Sequence, residues 1–128
     1  MLNKKKLKPT ESELEILQVL WDAGPSSVRF VNEKLNETKE QGYTTSLKLM
    51  QIMNEKGLTV RDTGSRTHVY TAKVLEEETK GKLLQFFINK TFKGSATNLV
   101  MQALGSQKTS KNDLEEIKAL IKKLENKK

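Results

Sequence analysis

At Gly57 the hydrophobic period of this chain changes, and that change constrains the fold more than any other feature of the sequence. Upstream, apolar residues recur every three to four positions. Immediately downstream, "LTVRDT" alternates and "THVYTA" is rich in β-branched and aromatic residues, with "GSR" as a turn between them. The first period fits α-helix and the second fits strand, so a β-hairpin is predicted directly after a helical region. Capping signals divide that region. Thr10 and Glu13 form a capping box ahead of Leu14, Leu17, Leu20 and Trp21, and Gly24-Pro25 ends this first helix. A second helix starts near Ser27, carries Val28, Val31 and Leu35, and gives way to the polar turn "NETKEQGY". The third is "YTTSLKLMQIMNEKGL", residues 43–58, whose Leu49, Met50, Met53 and small Ser46 form a core seam. Three helices followed by a two-stranded wing make the outline of a winged helix-turn-helix.

Helical signals return from Leu75. Leu83, Leu84, Phe87 and Ile88 lie on one broad face that ends near Phe92 and Gly94, "SATNLVMQAL" makes a short helix stopping at Gly105, and a last helix begins near Asn112. In that last helix Leu114, Ile117, Ile121 and Leu124 alternate at spacings of three and four, the seam of a helix that packs on another helix. With aromatics at 5% and charged residues at 30% of 128 residues, these helices show more apolar face than they can bury among themselves. The expected fold is mainly α with a small β-hairpin wing. Residues 1–72 would form a winged-helix DNA-binding domain, and residues 73–128 a three-helix dimerisation region using Leu83, Leu84, Phe87, Leu99, Leu114, Ile117, Ile121 and Leu124.

Several function classes recede. There is no cysteine, so no disulfide or thiolate metal site, and the one histidine, His68, is expected mid-strand on the wing surface. Carboxylates alternate with lysines along helix faces and the glycines are isolated, which leaves neither a tuned acid-base pair nor a phosphate-cradling loop. No enzyme activity, cofactor or metal is expected. No apolar run approaches the ~18 residues of a membrane span, and the lysine-rich start "MLNKKKLKPT" lacks the apolar core of a secretory signal, so the expectation is a cytoplasmic protein without membrane insertion. A net charge of +7 and a pI near 9.6 point to an anionic partner.

The third helix offers the contact. Thr44, Lys48, Gln51 and Glu55 lie opposite its core seam. Thr44 and Thr45 at its start suit phosphate, Lys48 and Gln51 can reach base edges, and Leu47, on the flank, could meet a thymine methyl. Arg61 and Arg66 frame the hairpin, where a cation meets phosphate or minor groove. The leading "NKKKLK" reads as a solvated tail. A solvated helix face is the competing reading of the polar residues; the order of helices and hairpin favours DNA.

Four stretches carry a family resemblance: Leu7-Lys8-Pro9-Thr10 through Trp21, "YTT" at Tyr43 to Thr45, "EKGL" at Glu55 to Leu58, and "GSRTHVY" at Gly64 to Tyr70. In these the chain resembles the BlaI/MecI family of penicillinase and methicillin-resistance repressors, over nearly its whole length but less specifically in the tail. The resemblance implies a homodimer joined by its C-terminal helices, bound to an inverted-repeat operator on double-stranded DNA. In the penicillinase branch a membrane sensor-protease triggers cutting between an Asn and a Phe in the short tail helix; Gln102-Ala103 stands there in this chain. The cysteine cluster of the copper-responsive branch is missing. Within the third helix Ser46, Leu47, Lys48 and Ile52 depart from residues common in relatives. Two other readings remain open at this point, a repressor relieved by a small ligand between the dimer helices and a winged-helix protein-interaction module that does not bind an operator.

Overall fold

A computed structural model describes residues 8–64 and 66–127 of the chain. In order they form α1 (Glu11–Ala23), β1 (Ser26–Ser27), α2 (Val28–Leu35), α3 (Tyr43–Lys56), β2 (Thr59–Asp62), β3 (Val69–Ala72), α4 (Glu76–Thr91), α5 (Ala96–Ser106) and α6 (Lys111–Asn126). This is the mainly helical, winged-helix arrangement that the change of period at Gly57 predicts. The chain divides into two compact units inside α4, one ending at Leu83 and the other starting at Leu84. Residues 3–7 of the lysine-rich start, and Ser65 of the predicted "GSR" turn, lie outside the described residues.

The first unit is built around Ile16, Leu17 and Leu20 of α1, Val28, Val31 and Leu35 of α2, Met50 and Met53 of α3, then Leu58 and Tyr70. The capping box of α1 is complete: the Thr10 N–H donates to Glu13 Oε1 at 2.9 Å and the Glu13 N–H to Thr10 Oγ1 at 3.2 Å. The buried face is broader than the predicted stripe, because Ile16 is fully enclosed while Leu14 and Trp21 are only half-buried. Trp21 has a different task. Its indole N–H donates to the Val74 carbonyl at 3.0 Å, tying the end of α1 to the segment that leaves the sheet. Glu13 also does more than cap. Its buried carboxylate receives Lys56 Nζ on both oxygens, at 2.8 and 2.9 Å, joining the start of α1 to the end of α3.

The sheet has three antiparallel strands in the order β1-β3-β2, with Ser26 opposite Tyr70 and Arg61 opposite Tyr70 on the other side. The period of the sequence predicts the hairpin but not the two-residue β1, since so short a strand shows no period. His68 and Thr67, expected within a strand, instead precede β3, which starts at Val69. The reason is local. After β2 the Asp62 carboxylate accepts the Gly64 N–H at 2.8 Å, and this turn pulls the chain out of ladder register before the return strand begins.

In the second unit α5 continues through Gly105 to Ser106, one residue beyond the predicted stop. A glycine ends a helix reliably when it adopts a left-handed conformation, as Gly57 does after α3 with φ 86°, letting the Leu58 N–H reach the Met53 carbonyl at 2.9 Å. Gly105 is not in that conformation. α6 starts where Ser110 accepts the Asp113 N–H, close to the expected Asn112. Among the described residues no helix is long and apolar enough to cross a membrane.

Candidate nucleic-acid interface

Both ends of α3 are fixed by polar contacts that its sequence alone does not reveal. At the start, Ser46 is fully buried; its Oγ accepts from Gln41 Nε2 at 2.7 Å and donates to Asn32 Oδ1 of α2 at 2.6 Å. Asn36 braces the same turn, donating to the Gln41 carbonyl at 2.9 Å and accepting the Gln41 N–H at 3.0 Å. At the end, Lys56 is held by Glu13. Two bonded termini and a buried Met50–Met53 seam set the rotation of α3 about its axis, and therefore which side chains it presents.

Those presented are the predicted ones. Thr44, Thr45, Lys48, Gln51 and Glu55 are exposed, whereas Leu47 and Leu49 pack partly against the core. Among the described residues no side chain caps the start of α3 at Gly42, so the N–H groups of its first turn carry the partial positive charge of a helix end.

Between α2, α3 and the wing lies an open cleft of about 320 Å³. Leu47 and Gln51 line it from α3 and Arg61 from β2, while Arg66 enters from the β2–β3 connection. The structure thus brings together four residues read separately from the sequence. Thr44, Thr45 and Lys48 stand on the exposed face of α3 outside the cleft walls. Residues not anticipated as contacts also line it, among them Arg29 of α2, Tyr43 at the start of α3, and His68. Arg29 had a signal that could have been used, since it follows the buried Val28 and is the one arginine of α2. Among the described residues no carboxylate lines the cleft.

The remaining predicted positions are on α4, α5 and α6. Leu83, Leu99 and Ile117 are half-buried, while Leu84, Phe87, Leu114, Ile121 and Leu124 are exposed, as are Gln102 and Ala103 on α5. Among the described residues no grouping of His, Asp and Glu could hold a metal ion.

The sequence profile of the penicillinase repressor family matches residues 9–123. The chain belongs to this family. As a penicillinase repressor relative it is a DNA-binding transcriptional repressor. It is 24% identical over 122 residues to the methicillin resistance regulatory protein MecI of Staphylococcus aureus, covering 95% of this chain and 99% of that protein. To the penicillinase repressor of Bacillus licheniformis it is 22% identical over 119 residues, 93% of each chain. A solved ferric uptake regulator from Pseudomonas aeruginosa overlays with a TM-score of 0.45 at 19% identity, over 72% of this chain and 89% of that one, too loose a likeness to carry weight.

Proposed function

We propose that this repressor acts as a homodimer on an inverted-repeat operator, reading base edges with Lys48 and Gln51 of α3 and holding phosphate with Thr44, Thr45, Arg61 and Arg66. The observation that carries this reading is the exposed polar face of α3 beside a cleft whose charged walls, among the described residues, are cationic. In a helix-turn-helix the second helix of the pair enters the major groove with its N-terminal residues on base edges, and α3 is that helix. Residues 1–72 would carry the DNA contacts and residues 73–128 the dimer. Support for the dimer comes from apolar side chains left open on the tail helices of a single chain: Phe87 is 50%, Ile121 51% and Leu124 53% exposed. Ile121 and Leu124, three residues apart on α6, share one helix face, and a second copy could cover such apolar faces symmetrically.

Relief of repression would follow any event that separates the two copies. If a protease does it, the cut falls in α5, where Gln102 and Ala103 are exposed, because severing α5 disconnects α6 from the rest of the chain.

The test is binding of the full-length protein to duplexes from its own promoter, with and without the inverted repeat, over a range of salt concentrations. Preference for the repeat, at a stoichiometry of two chains per duplex, is the expected result. Binding that ignores the repeat at every salt concentration refutes operator reading.

A further inference from the structure

We propose that Arg29, Arg61 and Arg66 form one seat for the DNA backbone, in which phosphodiesters of a single strand pass through the cleft between α3 and the wing and α2 supplies a third arm. This rests on the reading that the protein binds duplex DNA, and it adds a contact from a helix that is neither the recognition helix nor the wing.

Three observations converge. The arginines come from three elements, α2, β2 and the β2–β3 connection, yet all line the same cleft. On β2 the alternation of burial turns Thr59 and Arg61 inward and Val60 and Asp62 outward, so Arg61 is partly buried beside Tyr70, its partner across the ladder. Neither the Arg29 nor the Arg61 side chain has a hydrogen-bond or ion-pair partner among the described residues, and the nearby Asp62 carboxylate is on the outer face, engaged with the Gly64 N–H. Arg61 is half-buried whereas Arg29 and Arg66 are exposed, so the cleft gathers three cations at its mouth, and an entering anion would give them a shared counter-charge. Phosphate suits them, because the planar donor fork of arginine matches two phosphate oxygens.

Geometry also selects a polymer over a free ion. Gln51 belongs both to the cleft wall and to the exposed face of α3 that carries Lys48. A strand whose bases meet that face therefore has its phosphates beside the cleft, with Tyr43 and Leu47 as an uncharged wall. Backbone contacts of this kind fix register and orientation but carry no base preference.

The experiment compares full-length wild type with Arg29→Ala, Arg29→Lys and Arg61→Ala on the promoter duplex and on a scrambled duplex of equal length, as a function of salt, with folding checked by circular dichroism. Arg29→Ala and Arg61→Ala should each weaken both duplexes by the same factor, several-fold. The slope of log K against log salt should become shallower by roughly 0.9 for each phosphate no longer neutralised, and Arg29→Lys should keep most of the wild-type slope. The ratio of promoter to scrambled affinity should not move. Wild-type slope and affinity in Arg29→Ala, with the promoter still bound, would remove α2 from the seat and leave the DNA reading intact. A changed ratio at constant slope would make Arg29 a base reader and also overturn the proposal. Inorganic phosphate at millimolar concentration and fixed ionic strength should not displace the duplex; displacement would mark the cleft as a small-anion site. Failure of the wild type to bind either duplex would defeat both the seat and the function on which it rests.

Discussion

Lys48 and Gln51 stand about one turn apart on the exposed face of α3, and Thr45 lies at its start, so the three should fail differently when truncated. Gln51→Ala should relax preference at particular operator positions, at about 1 to 3 kcal/mol for a good bidentate base contact. Thr45→Ala should weaken every sequence alike. A double Lys48→Ala, Gln51→Ala variant that keeps full affinity and selectivity in a binding titration would show that α3 uses another face. Lys56 makes a separate prediction, concerned with stability. Its ammonium faces the buried Glu13 carboxylate, and Lys56→Met would leave that charge with the Thr10 N–H as its one remaining partner among the described residues. Hydrogen bonds to charged groups contribute roughly 1.5 to 3 kcal/mol, and a loss in that range is expected in chemical denaturation at fixed protein concentration. Glu13→Gln, which retains an acceptor for Thr10, should lose less.

Among the helices, α3 ends where Gly57 turns left-handed, whereas α4 and α5 run through Gly81 and Gly105 as ordinary helical residues. A Cβ added at Gly81 would meet nothing within 4 Å in the single chain. Gly81→Ala should therefore raise stability by roughly 0.5 to 1 kcal/mol, the entropy that glycine costs within a helix. A fall in stability instead would mean that a second chain packs against that position. α5 carries the test of proteolytic relief. A Gln102→Asn, Ala103→Phe variant, exposed to a sensor-protease system from a host of a penicillinase repressor, should become cleavable if the native dipeptide is all that protects it. An intact variant beside a cleaved native repressor of that host would locate the difference in docking to the sensor, and proteolytic relief of this protein would lose its main support.

For the whole chain the central prediction is assembly. Sedimentation at micromolar concentration should show a dimer, and truncating both Ile121 and Leu124 to Ala should shift it toward monomer while weakening operator binding, since two half-sites must be engaged together. A stable full-length monomer would refute the architecture. Fragments give a second measurement. A chain ending at Ala72 loses Lys73, whose N–H donates to the Leu58 carbonyl at 2.9 Å, and Val74, which packs on the core and accepts the Trp21 indole N–H. A fragment of residues 1–83 should therefore melt higher than one of residues 1–72, by roughly 1 to 3 kcal/mol in stability.

What the sequence determined by itself was everything governed by neighbours along the chain. The Thr10–Glu13 box, the start of α2 near Ser27 and the switch of period after Gly57 involve residues at most a turn or two apart, so their physics is written in local spacing. The exposed face of α3 was legible for the same reason, because a helix with one apolar seam leaves only one other side. Tertiary structure decided what depends on distant segments meeting. Glu13 is a cap by sequence and an ion-pair partner only once Lys56, 43 residues away, is folded against it. β1 exists because β3 offers it a ladder, and its two serines have no strand pattern of their own. Arg29 looks like a solvated helix residue until Arg61 and Arg66 arrive at the same cleft. Local spacing fixes which backbone conformations are cheap. Which charges and donors share a space is set by how the whole core packs, and no short window of sequence contains that information.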